Sequence, residues 1–144
     1  MKGYLLDVNL LIALAWPNHA QHAKASAWFD RERGFGWGTC MVTQLGFVRV
    51  SSHPSVDLHA TTQEALQKLK EISETPGHSF WSEPPAGYLN DEFAKTLPDT
   101  LTHGAVTDGY LATVASYHGG KLATLDRGLI KLFSPMTVLV GDEV

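Results

Sequence analysis

Short apolar runs alternate with stretches in which apolar residues recur every three or four positions, from one end of the chain to the other. Tyr4 to Leu6 is apolar throughout, and its length suits a strand buried on both faces. Beyond Asp7, Leu10, Leu11, Ala13 and Leu14 fall at helical spacing, with Asn9 as the predicted cap. Pro17 ends that helix after Trp16. A second helix is predicted over 19–33, with Ala25, Trp28 and Phe29 as its apolar stripe and Gly34 and Gly36 at its end. Trp37 to Val42 reads as a strand. Thr43 then caps a third helix in which Gln44 comes first and Leu45, Phe47, Val48 and Val50 follow, until His53-Pro54.

The second half continues the rhythm. Thr61-x-x-Glu64 is a capping box for a helix from Thr62 to about Glu74, with Ala65, Leu66, Leu69 and Ile72 inward and Pro76-Gly77 as the stop. His78 to Trp81 is a short strand, and Asn90 or Asp91 starts a short helix through Lys95. A helix spans Val106 to Tyr117, closed by Gly119-Gly120. Lys121 to Leu125 is a strand ended by Asp126, Arg127 to Ile130 turns into a short helix, and Met136 to Val140 is the last strand. Strand and helix in alternation predict an α/β fold. The expected form is three layers (α/β/α), with a mostly parallel central sheet of about five strands, in one domain over 1–144.

Within that frame three acids share an address. Asp7 and Asp126 end predicted strands, and ligands bind at the carboxyl edge of open parallel sheets. Asp108 lies in the first turn of its helix, in line with Leu111, Ala112 and Ala115, so it sits at the end of an apolar stripe. If that helix runs antiparallel to the strands, right-handed crossovers bring all three acids to one edge. Each also has a purely local account: Asp7 as a helix cap and Asp108 as a partner of the helix dipole. Together they repel one another, and a divalent cation relieves the repulsion. Oxygen-only donors suit magnesium or manganese. Such a cation makes water more acidic and stabilises charge on phosphoryl oxygens, which is the chemistry of phosphate-ester hydrolysis. No Gly-x-x-x-x-Gly-Lys loop, Gly-x-Ser-x-Gly elbow or Cys-x-x-Cys pair offers a competing chemistry. His19 and His22 read as polar residues of an exposed first turn, since no third ligand for a metal is near them. Arg49 is either a surface ion-pair partner or a phosphate contact. Asp91, Glu92 and Asp99 read as solvated surface acids.

The bulk properties narrow the picture. The 144 residues are 44% hydrophobic and 18% charged, as in a folded domain with a core. A net charge of −4 means that nucleic acid, if bound, is held by a local basic patch or by metal ions. Cys40 is the one cysteine, which allows no intrachain disulfide and is compatible with a cytoplasmic location. No apolar run reaches transmembrane length and no signal-peptide pattern opens the chain, so no membrane partner is expected.

Four stretches carry a resemblance: Leu5-Leu6-Asp7-Val8-Asn9, Thr43-Gln44-Leu45-Gly46-Phe47-Val48-Arg49, Val106-Thr107-Asp108-Gly109-Tyr110-Leu111 and Leu122-Ala123-Thr124-Leu125-Asp126. In this order and spacing they resemble the signature of PIN-domain ribonucleases, and more closely the VapC toxins of bacterial toxin–antitoxin pairs. The resemblance implies a parallel sheet flanked by helices and magnesium- or manganese-dependent cleavage of RNA. It also implies a homodimer and a cognate antitoxin that blocks the acidic site. Carried over by position, Asp7, Asp108 and Asp126 form the acidic metal cluster, Asn9 orients Asp7 and Thr124 supports Asp126. Where the family commonly has a glutamate near the start of the third helix, this chain has Gln44, which removes one negative charge. Two other readings follow from the same residues. One is a PIN-like RNA-binding domain with weak or no catalysis. The other is a phosphatase with Asp7 as nucleophile, against which Asn9 stands where a second acid is usual.

Overall fold

The predicted alternation becomes a series of passes across one parallel sheet. A computed structural model describes residues 3–141; the predicted domain limits of 1 and 144 lie outside the described residues. Strand β1 is Tyr4–Leu6, followed by helices α1 (Val8–Ala15) and α2 (His22–Glu32). Strand β2 (Trp37–Thr39) leads to α3 (Met41–Ser51) and α4 (Thr62–Ser73), and β3 is His78–Phe80. Then come α5 (Asp91–Thr96), α6 (Val106–Tyr117), β4 (Lys121–Thr124), α7 (Arg127–Phe133) and β5 (Thr137–Leu139). The strands lie in the order β3-β2-β1-β4-β5, and every neighbouring pair is parallel.

The alternation of side chains along each strand divides the core in two. Tyr4 and Leu6 join the cluster built with α1, α2, α3 and α4, whereas Leu5 joins Leu111, Val114, Leu129 and Phe133 of α6 and α7. Helices therefore cover both faces, which is the expected three-layer arrangement. The Thr61–Glu64 capping box forms as predicted: Glu64 N–H donates to Thr61 Oγ1 and Thr61 N–H donates to Glu64 Oε1, each at 3.0 Å. The inward face of α4 is Ala65 and Leu69, while Leu66 is exposed. Ala25, Trp28 and Phe29 are buried as their spacing predicts.

Two helix starts differ from expectation for the same reason. Helix α1 is capped by Asp7 and not by Asn9, and α3 starts after Cys40, so Thr43 lies in its first turn and not at its cap. Thr43 Oγ1 accepts from Cys40 N–H at 2.9 Å, closing the turn from inside the helix. In both places the chain passes from strand to helix across a single residue, so polar side chains predicted to precede a helix fall one turn inside it. Among the described residues no helix is long and apolar enough to cross a membrane.

Candidate active site

The strand order reverses direction at β1. The chain leaves β1 for β2 and β3 on one side, then returns to β4 and β5 on the other. The helices that follow β1 and β4 diverge, α1 toward one face and α7 toward the opposite one. A crevice opens between them at the carboxyl ends of the two strands, where open α/β sheets bind ligands. Asp7 ends β1 and caps α1; Asp126 follows β4 and caps α7. Asp108 enters from the first turn of α6. All three line one cavity of about 400 Å³, so the structure brings together the three acids that sequence reasoning grouped.

Each acid is held differently. Asp7 is buried, and both its oxygens have donors: Val8 N–H to Oδ1 and the Thr124 hydroxyl to Oδ2, each at 2.8 Å. Thr124 is fully buried, and its Oγ1 also accepts from Asp126 N–H at 3.1 Å. One hydroxyl thus couples the two strand ends. Asp126 is more exposed and caps α7 through Gly128 N–H at 2.8 Å. Thr124 supports Asp126 as expected, but the role expected of Asn9 also falls to it. The direct bond to Asp7 comes from Thr124. Asn9 instead reaches across to the turn that carries Asp126, where its Oδ1 accepts from Leu125 N–H at 3.4 Å.

Electrostatics agrees with the geometry. Burial raises the Asp7 carboxyl above its ordinary range; the bonds from Thr124 and Val8 oppose that rise, and Asp126 adds to it. Asp108 is pushed up to about 6, first by burial and then by the charges of Asp7 and Asp126. Among the described residues no lysine or arginine lines the cavity.

Among the described residues, no three His, Cys, Asp or Glu side chains close on a single point as a ready-made metal shell. The acids surround a space instead of converging. Hard oxygen donors, mutual repulsion and room between the groups fit a divalent cation that keeps several of its own waters, as magnesium does.

Two predicted site residues stand apart from this cavity. The Gln44 side chain turns to β2, where its Nε2–H donates to Thr39 Oγ1 at 3.1 Å; the same hydroxyl lies 2.9 Å from His78 Nε2. Arg49 is exposed in the last turn of α3 and does not line the cavity, although its neighbour Val50 does. Conversely, the apolar wall of Val8, Ile12, Val50, Val56 and Leu129 went unpredicted, as did His19 beside it. Nothing in the local pattern marks His19, which sits in the loop between α1 and α2. The predicted surface role of His22 is a structural one: its Nδ1 lies 2.8 Å from the Ala13 carbonyl and its Nε2 3.3 Å from Ser26 Oγ. With both nitrogens engaged, it forms no metal clip with His19.

Over 129 residues, 87% of this chain and 89% of the relative, the sequence is 40% identical to ribonuclease VapC39 of Mycobacterium tuberculosis. The chain belongs to the VapC ribonuclease family. Ribonuclease VapC38 of the same organism is 37% identical over 129 residues, covering 89% of this chain and 88% of the relative. No protein-family model matches the chain. FitAB, solved bound to a DNA fragment, superimposes with a TM-score of 0.60 over 94% of both chains at 24% identity. PAE2754 from Pyrobaculum aerophilum does so at 0.52, over 94% of this chain and 82% of that one, at 22% identity. These likenesses bear on the fold, which is PIN-like. In this chain Asp7, Asp108 and Asp126 gather at the topological switch point of that fold.

Proposed function

We propose that this VapC-family chain is a divalent-metal-dependent endoribonuclease in which Asp7, Asp108 and Asp126 hold magnesium or manganese at the β1–β4 crevice. The observation that carries this reading is three carboxylates around one cavity with no lysine or arginine among its described lining. A divalent cation bound there supplies a more acidic water and charge stabilisation for a phosphodiester. The chain's own part is positional. Thr124 and the Val8 N–H fix the Asp7 carboxylate, the Asp126 cap fixes the second acid, and the first turn of α6 presents the third. Val8, Ile12, Val50, Val56 and Leu129 make most of the remaining cavity lining apolar. The phosphatase alternative lacks support, because Asn9 stands where that chemistry wants a second acid two residues after the nucleophile, and an amide cannot protonate a leaving group.

The toxin reading brings an antitoxin partner whose basic side chain neutralises the same acids when the enzyme is held inactive. A homodimer is also proposed. Val42, Tyr88, Val106, Thr107 and Tyr110 line an open depression, and Met41 and Leu45 are exposed on α3 beside Val42. Apolar surface of this kind marks interaction sites.

Thermal melting in EDTA and in excess manganese tests the metal. Binding to the folded state relieves carboxylate repulsion, so manganese is expected to raise the melting temperature by several degrees at about 100 times its dissociation constant. An unchanged melting temperature in millimolar manganese would remove the metal from the mechanism.

A further inference from the structure

His19 lines the cavity, and a backbone N–H holds its ring in one tautomer. Gln21 N–H donates to His19 Nδ1 at 3.0 Å. A ring that accepts at Nδ1 carries its proton on Nε2. The loop that carries it is tied down: His19 N–H donates to the Trp16 carbonyl at 2.9 Å, and His22 N–H donates to the His19 carbonyl at 3.0 Å. Nε2 has no protein partner among the described residues. Two roles are disfavoured by this arrangement. A metal ligand needs a bare Nε2, and shifting the proton to Nδ1 would set it against the Gln21 N–H. A base at Nε2 needs the same bare nitrogen. What remains is a neutral hydrogen-bond donor at the rim of an acidic cavity.

RNA laid across that cavity meets three acids and few donors. Of the lining residues, Asn9 and His19 carry neutral polar side-chain donors, and the Asn9 amide is turned to Thr124 and Leu125. We propose that His19 is a substrate-binding residue whose Nε2–H donates to an acceptor oxygen of the RNA backbone. The assignment rests on the ribonuclease reading above.

Two substitutions separate this role from a structural one. His19→Asn places a carbonyl oxygen near the Nδ1 position, keeping the acceptor for Gln21 N–H while removing the Nε2 donor. His19→Gln places an amide donor near the Nε2 position and loses the acceptor. Each is made in the Asp7→Asn background, and the anisotropy of a fluorescein-labelled short single-stranded RNA is titrated with the protein. The expected result is RNA affinity about five- to ten-fold weaker in His19→Asn, with His19→Gln close to the background protein. The opposite order, with Asn neutral and Gln weak, means that His19 only shapes its loop and overturns the proposal. Loss of the manganese-induced melting shift in His19→Asn made in the parent chain, with Asp7 intact, would make it a metal ligand and overturn it too. If neither the parent protein nor Asp7→Asn binds RNA, the ribonuclease site reading falls and takes this one with it; if RNA is bound and neither variant differs, only the role of His19 falls. Matched DNA distinguishes the acceptor: an effect that persists points to phosphate, one confined to RNA points to the 2′-hydroxyl, and either supports the donor role.

Discussion

The sheet has two crevices beside β1, and only one became a site. At β1 and β4 the following helices go to opposite faces, and the carboxyl edge stays open. At β1 and β2 both following helices go to the same face, where α1 packs on α3 and the edge closes. The local designs are alike, a short strand, a tight turn and a polar side chain at the strand end. In the open crevice the Thr124 hydroxyl serves a carboxylate that faces the cavity. On the closed side the Thr39 hydroxyl is surrounded by Gln44 and His78, so its polar groups satisfy one another. A polar residue at the end of a parallel strand becomes available for chemistry where crossovers part, and becomes part of the packing where they run together.

Removing the charge in the open crevice should have the largest effect. Asp7→Asn keeps the shape and both neighbours but loses a carboxylate, and RNA cleavage is expected to fall at least about 100-fold, the order seen when a main electrostatic stabiliser is removed. Cleavage assays beside a melting curve check it; near-parental cleavage by a folded variant would end the mechanism. The closed crevice depends on close approach instead. A Cβ on Gly46 would lie 2.7 Å from Val8 Cγ2, so α3 packs against α1 only because position 46 has no side chain. Gly46→Ala is expected to cost about 1–3 kcal/mol in denaturant unfolding, as overpacking does. Because Val8 follows Asp7 and lines the cavity, activity should drop as well.

The acid cluster predicts a pH signature. Asp108 holds its proton up to about 6 in the folded chain, whereas the unfolded carboxyl releases it near 4. The folded state binds more protons between those values, so this group makes stability fall as pH rises through that window, and the loss is complete above it. In EDTA, Asp108→Asn should therefore melt higher than the parent at pH 7, by about 1–2 kcal/mol after solvent screening, and the gap should close by pH 4. A gap independent of pH would mean that burial and the neighbouring acids do not raise the Asp108 carboxyl. The smallest effect is expected on the closed side. Gln44→Glu adds a charge whose side chain is turned to Thr39 instead of the cavity, and manganese affinity should stay within about two-fold of the parent at physiological salt. Affinity tightened ten-fold would show that Gln44 swings into the site.

Much of this was legible without coordinates. The apolar run at Tyr4 to Leu6, the stripe of Ala25, Trp28 and Phe29, the Thr61–Glu64 box and the limits of α6 follow from periodicity and capping, which are properties of a few consecutive residues. Asp7 and Asp126 were placed because a strand end can be read locally, and Asp108 because a helix start can. Whether those three faced one another was a question of handedness and strand order, which chirality restricts to few answers.

What local pattern could not reach was the direction of side chains across long separations in sequence. Thr124 and Asp7 are 117 positions apart, and only the parallel register of β1 on β4 makes the hydroxyl a donor to that carboxylate. Gln44 is grouped with the acids through the resemblance, at the position where the family commonly has a glutamate, yet α3 starts one turn earlier than predicted and leaves its amide over Thr39. His19 carries no motif; it reaches the cavity because the loop after α1 folds back over the crevice. The pattern of apolar residues specifies which elements form and which faces they bury, since those depend on short-range geometry and hydrophobicity. Which polar groups meet was decided by the divergence of α1 and α7 at the strand-order reversal, a property of the assembled sheet that no single stretch of chain contains.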